Sequence, residues 1–335
     1  MIIDAHAHLF APPALYTYRT SLVAARGQYG AFKQDVAGVD FQKFADENVA
    51  IMDGVGTDVQ FLSPRPYLMM HGAQYRWDDM LAYAQSNNDL IAKTVKWHPT
   101  RFRGVGTLPQ LFGRPIETVF DELKRCIEEL GFIGFLVNPD PGEGVGQSPP
   151  LGDPYWYPLY ERLCELDIPG HIHSCGSCGR ETYDEHFASE ESLAITSLAR
   201  SDVFRRFPTL KLMISHGGGS IPYQVGRWRS NRQMSIEAGR LPKDYESFDT
   251  TLRRFWFDTC LHNKKSLELL FDVVGTARCC FGTERPGSGA GIDVTTGRPF
   301  DDLKPVIEGI ESLSDKERKA IFEGNARVLF NRLDL

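Results

Sequence analysis

The sequence predicts an α/β fold, a (β/α)8 TIM barrel with loop insertions. Three observations predict it: eight short apolar runs recur along the chain, helical patterns alternate with them, and polar residues able to do chemistry stand at or just past their ends. Short apolar runs alternating with amphipathic helices read as βα units of a parallel sheet. Eight such units favour a closed barrel over an open doubly wound sheet. A chain of 335 residues suits one barrel with insertions, so residues 1–335 are expected to form a single domain.

The runs are 1–6, 59–63, 103–108, 132–137, 168–173, 210–216, 255–259 and 279–283. Segment 115–130 places apolar residues at 116, 119, 120, 123, 127 and 130, one helical face opened by a proline and stopped by Gly131. Segments 155–166 and 264–274 behave alike, and 314–329 opens on a capping-box pattern, Ser314 with Glu317. A helix is expected from Ile221. Residues 10–40 read as an irregular excursion after the first run, and 174–190 and 284–300 as Gly/Ser/Thr-rich loops after the fifth and eighth.

Composition narrows the function. Hydrophobic residues are 42% and charged residues 24%, an ordinary globular mix. The net charge is −7 and no Lys/Arg run appears, so nucleic acid is not an expected partner. An acidic protein that takes an anionic substrate needs local arginines at its pocket. The opening Met-Ile-Ile-Asp-Ala-His-Ala-His lacks a positive segment and a long apolar run, and no stretch of 18 apolar residues occurs, so neither signal peptide nor membrane span is expected. Seven cysteines without a framework suit reduced thiols in a cytoplasmic protein.

The chemistry begins with His6-Ala-His8. Side chains two apart on a strand point the same way, so both imidazoles can reach one ion. His173, His216 and Glu284 fall at the ends of the fifth, sixth and eighth runs. In a barrel those ends share one mouth. Imidazoles plus a carboxylate, with a position left open, form a catalytic zinc set, and manganese and iron are open on the same donors. His171 competes with His173 for the ligand role, and His216 reads either as ligand or as free acid/base. Gly217, Gly218 and Gly219 admit either close approach of an anion or a tight turn. Arg65, between Pro64 and Pro66, is the best candidate to grip a substrate carboxylate, ahead of Arg285 and Arg180. Asn138 either donates to substrate or orders a turn, and Asp258 either orients a histidine or caps a helix. Cys175 and Cys178 have C-x-x-C spacing without a second pair, and a pocket-wall role is expected of them.

These residues resemble the amidohydrolase superfamily, in particular the branch that contains aminocarboxymuconate semialdehyde decarboxylase. The matching pieces are Ile3-Asp4-Ala5-His6-Ala7-His8, the His173 run, Ser215-His216-Gly217-Gly218, the acidic residue after the eighth run, and Phe322-Glu323-Gly324-Asn325-Ala326-Arg327. The decarboxylases carry aspartate where this chain has Glu284. Glutamate there resembles two water-adding groups, the 4-oxalomesaconate hydratases and the zinc-dependent C–C hydrolases of ring-cleavage products. Ser63-Pro64-Arg65-Pro66, Asn138-Pro139-Asp140-Pro141 and Ile292-Asp293 also match them. The resemblance implies His6, His8, His173 and Glu284 as zinc ligands with His216 beside them, and a homodimer; Arg65, Asn138, Arg285 and His171 are the expected contacts of a small carboxylated substrate. The leading expectation is C–C bond hydrolysis in a carboxylated oxo-enoate of aromatic catabolism. Hydration of a 4-oxalomesaconate-like acid stands second and decarboxylation third. A non-catalytic metal- or ligand-binding barrel is the alternative of a different class.

Overall fold

A computed structural model describes the chain except residues 11–12, 29–39, 67–68, 72–74, 176–180 and 182. Seven strands lie in chain order in one curled sheet, each parallel to the next: β1 Ile3–His8, β2 Val59–Ser63, β3 Phe102–Thr107, β4 Gly134–Val137, β5 Gly170–Ile172, β6 Leu212–Ile214 and β7 Trp256–Phe257. Their apolar runs are continuous because both faces are covered; every residue of β2 and β4 is buried. The eighth predicted run is not a regular strand. Residues 279–285 nevertheless lie between the sheet's two edges: Cys280 N–H donates to Phe257 O at 2.8 Å, while Ala5 and His8 N–H donate to Phe281 O and Arg285 O, each at 2.8 Å. Glu284 there has φ +60°, outside the extended region, although its N–H still donates to His6 O at 2.7 Å.

The crossover helices pack on the sheet as the apolar patterns require. Ten are α1 Pro13–Ala25, α2 Phe41–Val55, α3 Trp77–Trp97, α4 Phe120–Glu128, α5 Tyr157–Leu166, α6 Tyr183–Ala199, α7 Val203–Arg206, α8 Ile221–Glu237, α9 Phe248–Leu252 and α10 Lys264–Val274. The last has the predicted bounds and is capped by the Asn263 side chain. The 115–130 helix starts as a 3-10 turn, Ile116–Val119, before α4. The Ser314–Glu317 capping box is present and opens a helical stretch to Leu329, with a π-helical turn at Ala320–Gly324.

Two loop expectations fail. Helix α6 begins at Tyr183, inside the loop expected at 174–190, where its register buries Phe187 and Glu191. Residues 10–40 include α1, a helix where an irregular excursion was expected. Its buried stripe is only Leu15, Tyr18 and Leu22, too sparse a period to stand out in sequence. Those residues join the main core, where the sheet meets the helices through Leu62, Tyr83, Phe135, Trp156, Tyr160, Ile195 and Phe257. A second cluster, Ile3, Ala5, Phe61, Val105, Met213, Trp256 and Phe330, is closed by the C-terminal helical segment.

Candidate metal centre

Four imidazoles meet at the carboxyl ends of the strands. The ring centroids of His6 and His8, on β1, are 5.1 Å apart, and His173, just past β5, lies 5.0 Å from His6 and 5.4 Å from His8. His216, just past β6, lies 5.0 Å from His173. In each, Nδ1 is tied to the protein and Nε2 is left bare. His6 Nδ1 meets Asp258 at 2.5 Å, His8 Nδ1 meets the Ser63 hydroxyl at 3.0 Å, His173 Nδ1 meets Ser174 O at 2.7 Å and His216 Nδ1 meets Glu191 at 2.7 Å. The four Nε2 atoms are buried without a hydrogen-bond partner.

A bare buried polar atom costs about 1–3 kcal/mol, so four converging ones call for a common partner. Ligand atoms of His6, His8 and His173 lie within 4.8 Å of one another, as do those of His173, His216 and Glu284. Burial, reinforced by the neighbouring imidazoles, holds His8 and His173 well below the ordinary histidine pKa. They are neutral, with a lone pair to give. The donor set fits a divalent cation, with Asp258, Ser63 and a backbone carbonyl fixing the ring orientations from behind.

Glu284 completes the arrangement. Its Oε1 is 3.4 Å from His216 Nε2 and 3.9 Å from His8 Nε2, and its Oε2 accepts from Ser288 at 2.8 Å. A Cβ on Gly287 would sit 2.3 Å from Glu284 O, so the chain folds over the glutamate only because residue 287 has no side chain. Although burial opposes it, the pairing with His216 holds the Glu284 carboxyl well below its ordinary range. His216, against the same burial, is pushed well above the histidine value by Glu191 and Glu284. Both residues have positive φ, 48° and 60°, rare for side chains of this size and costing about 1–3 kcal/mol each. The Gly217–Gly219 run forms a tight turn. Each of its glycines has positive φ, and a Cβ on Gly219 would meet Ala188 O at 2.3 Å.

Other expected residues are placed differently. His171 is buried 4.6 Å from the His6 ring, with Nε2 bonded to Ser215 at 2.8 Å, so it stands behind the first layer of imidazoles and its Nε2 is occupied. Asn138 spends its amide on Asp140 O and the Cys175 sulfur, the turn-ordering alternative. Arg285 is buried and its guanidinium pairs with Asp301, so its charge is engaged within the protein. Asp258 receives the backbone N–H of Gly217 and Cys260 as well as His6, and the cap of α10 is Asn263, so its orienting alternative holds. Arg65 is half-buried and near enough to His8 to depress its pKa. Cys175 is buried; Cys178 and Arg180 lie outside the described residues.

Sequence reasoning missed Glu191. It sits on α6 fully buried. The signal was there: Phe187, Ala194, Ile195 and Leu198 form the buried stripe of α6, and position 191 falls within it. A carboxylate in an apolar stripe is placed for a partner.

A parallel sheet of seven strands, curled as a half-barrel around a histidine–carboxylate cluster at its strand ends, is the architecture of the TIM-barrel enzymes of the amidohydrolase type. The amidohydrolase family model matches residues 3–332, and the chain belongs to that family. It is 38% identical to a 2-keto-4-carboxy-3-hexenedioate hydratase of Sphingobium sp., over 100% of this chain and 97% of that one. It is 30% identical to a 2-amino-3-carboxymuconate-6-semialdehyde decarboxylase of Dictyostelium discoideum, over 80% of this chain and 71% of that one. The crystal structure of a 4-oxalomesaconate hydratase from Rhodopseudomonas palustris superposes with a TM-score of 0.86 at 32% identity, covering 99% of this chain and 96% of that one. The chain is an enzyme of this superfamily, with hydratases and decarboxylases as its relatives. No described helix is long and apolar enough to cross a membrane.

Proposed function

We propose that the chain is a metal-dependent hydratase that adds water across the carbon–carbon double bond of an unsaturated, carboxylated 2-oxo acid resembling 2-keto-4-carboxy-3-hexenedioate. The observation that carries this is the end-to-end 38% identity with a hydratase of that acid. The C–C hydrolase expectation yields to it, because the similar enzymes add water or remove carbon dioxide. Decarboxylation is the lesser alternative: it rests on the 30% relative, and Glu284 departs from the aspartate of that group.

Residues 279–285 are read as the eighth stave, closing one (β/α)8 barrel domain over residues 1–335. His6, His8, His173 and Glu284 would hold the ion; zinc suits imidazole and carboxylate, and manganese or iron remain alternatives. When bound, such an ion supplies Lewis acidity, lowering the pKa of water from 15.7 toward about 7.

In a 2-oxo-3-enoate the keto group makes C4 electrophilic, so hydroxyl adds at C4 and a proton at C3. His216 carries that proton. Its Nδ1 is held by Glu191, which favours the charged ring, so Nε2, beside Glu284, has a proton to give to C3 and is recharged by the water whose hydroxyl adds at C4. Arg65 holds a substrate carboxylate close to the ion.

The test incubates the enzyme with the unsaturated acid while following loss of the conjugated absorption and the product mass. Gain of one water without fragmentation is expected. Two fragments would restore the C–C hydrolase, and release of carbon dioxide would establish the decarboxylase.

A further inference from the structure

A second histidine–carboxylate cluster shares no residue with the first. Asp140, in the loop after β4, and His186 and Glu190, four apart on α6, bring their ligand atoms within 4.8 Å of one another. His186 is fully buried; its Nδ1 lies 3.3 Å from Glu181, and its Nε2 has no hydrogen-bond partner although it points toward Asp140 at 4.0 Å. Asp140 is held rigidly, accepting from the backbone N–H of Gly142 and Gly144 and from the Ser148 hydroxyl. The carboxylates of Asp140, Glu181 and Glu190 line one side of a cavity of about 840 Å³ between this loop and α6, and Arg200 stands among its walls.

We propose that Asp140, His186 and Glu190 form a second binding site for a divalent transition-metal ion of the zinc or manganese class. One imidazole and two carboxylates suit such an ion, and the cavity leaves room for water at its remaining positions. The carboxylates supply the charge, Asp140 is oriented by donors behind it, and the bare imidazole nitrogen gains the partner it lacks. An ion there would tie the loop after β4 to α6, the helix that carries Glu191 to His216.

The experiment dialyses the whole enzyme against buffered Zn²⁺ and counts bound metal, repeating with Co²⁺ to read ligand-field bands. The wild type should bind about two equivalents and His186→Ala about one, with the second set of cobalt bands gone. Glu190→Gln should retain the site but at least about tenfold more weakly. Should His186→Ala fail to fold by circular dichroism, the Glu190→Gln affinity decides. Equal metal and equal affinity in wild type and folded variants would overturn the proposal. His6→Ala should remove the other equivalent and leave this one, so failure at either site is read separately.

Discussion

The cluster at the strand ends and the cluster between α6 and the loop after β4 use the same residue types in different settings. At the strand ends, every imidazole has its Nδ1 engaged by the protein and its Nε2 bare, and the bare atoms come from β1 and from the segments just past β5 and β6. Beside α6, one imidazole faces carboxylates from a loop and from its own helix. The first arrangement is fixed by a hydrogen-bonded sheet and by orienting groups behind each ring. The second depends on a loop staying docked. Adjacent residues of one helix divide between them: Glu191 reaches His216, and Glu190 reaches Asp140 and His186. The comparison teaches that a histidine's second nitrogen, and what holds it, decides its role more than its place in sequence.

The largest effect should come from breaking the inner cluster. His6→Ala removes one donor and leaves Asp258 a buried carboxylate without its 2.5 Å partner. Turnover should fall by at least about 10³-fold, some 4 kcal/mol, together with loss of the inner metal equivalent. Metal analysis and steady-state rates check this; full turnover in metal-free protein would end the reading of the centre.

Next come the residues beside the proposed ligands. His216→Asn should keep the inner metal and lower turnover by about 10²–10⁴-fold, the range of a lost acid/base. Glu191→Gln should lower it less, by about 10–100-fold, because the amide still bonds to Nδ1 but no longer supports charge on the ring. Loss of metal in either variant would move His216 into the ligand set. His171→Gln separates the two histidines of one strand. It gives up the bond to Ser215, so about 1–3 kcal/mol of stability should go, read by urea unfolding, while most of the inner metal stays.

How far sequence reaches follows the same division. The ends of strands were legible because a period-two pattern places His6 and His8 on one side and because apolar runs announce β2 through β6. The availability of a nitrogen was not legible. Nothing in His171-Ile-His173 says which ring meets Ser215, since that depends on the register of β5 against β6, where His171 pairs with Met213. Arg285 looked free in sequence and is paired with Asp301, sixteen residues on across a loop with no period to read. Asn138 could be either a ligand for substrate or a turn former, and only its contacts to Asp140 and Cys175 decide. Glu191 needed a question put to α6: which charged residue lies in the apolar stripe. The missed helix α1 is the opposite case, where packing by three residues outweighed a weak local pattern.

The smallest expected effect tests the comparison at a histidine with no cluster. His71 is buried, with Nδ1 2.8 Å from Gln110 O and Nε2 bare. Among the described residues it has the local pattern of a ligand without convergent partners. Burial lowers its pKa from 6.5 to about 4. Above pH 6.5 the ring is neutral whether the chain is folded or not, and its full contribution is present. As pH falls from 6.5 toward 4, the unfolded chain takes a proton that the native ring refuses, so stability declines, by on the order of 3 kcal/mol in all. Below that window the native ring also protonates and the decline levels off. His71→Gln removes the titration, so its unfolding midpoint should fall less steeply across the window while bound metal and turnover at neutral pH stay at wild-type values. Parallel pH profiles for variant and wild type would mean the ring is charged in the native state. Loss of metal in the variant would mean that one bare nitrogen, without convergence, is enough to bind.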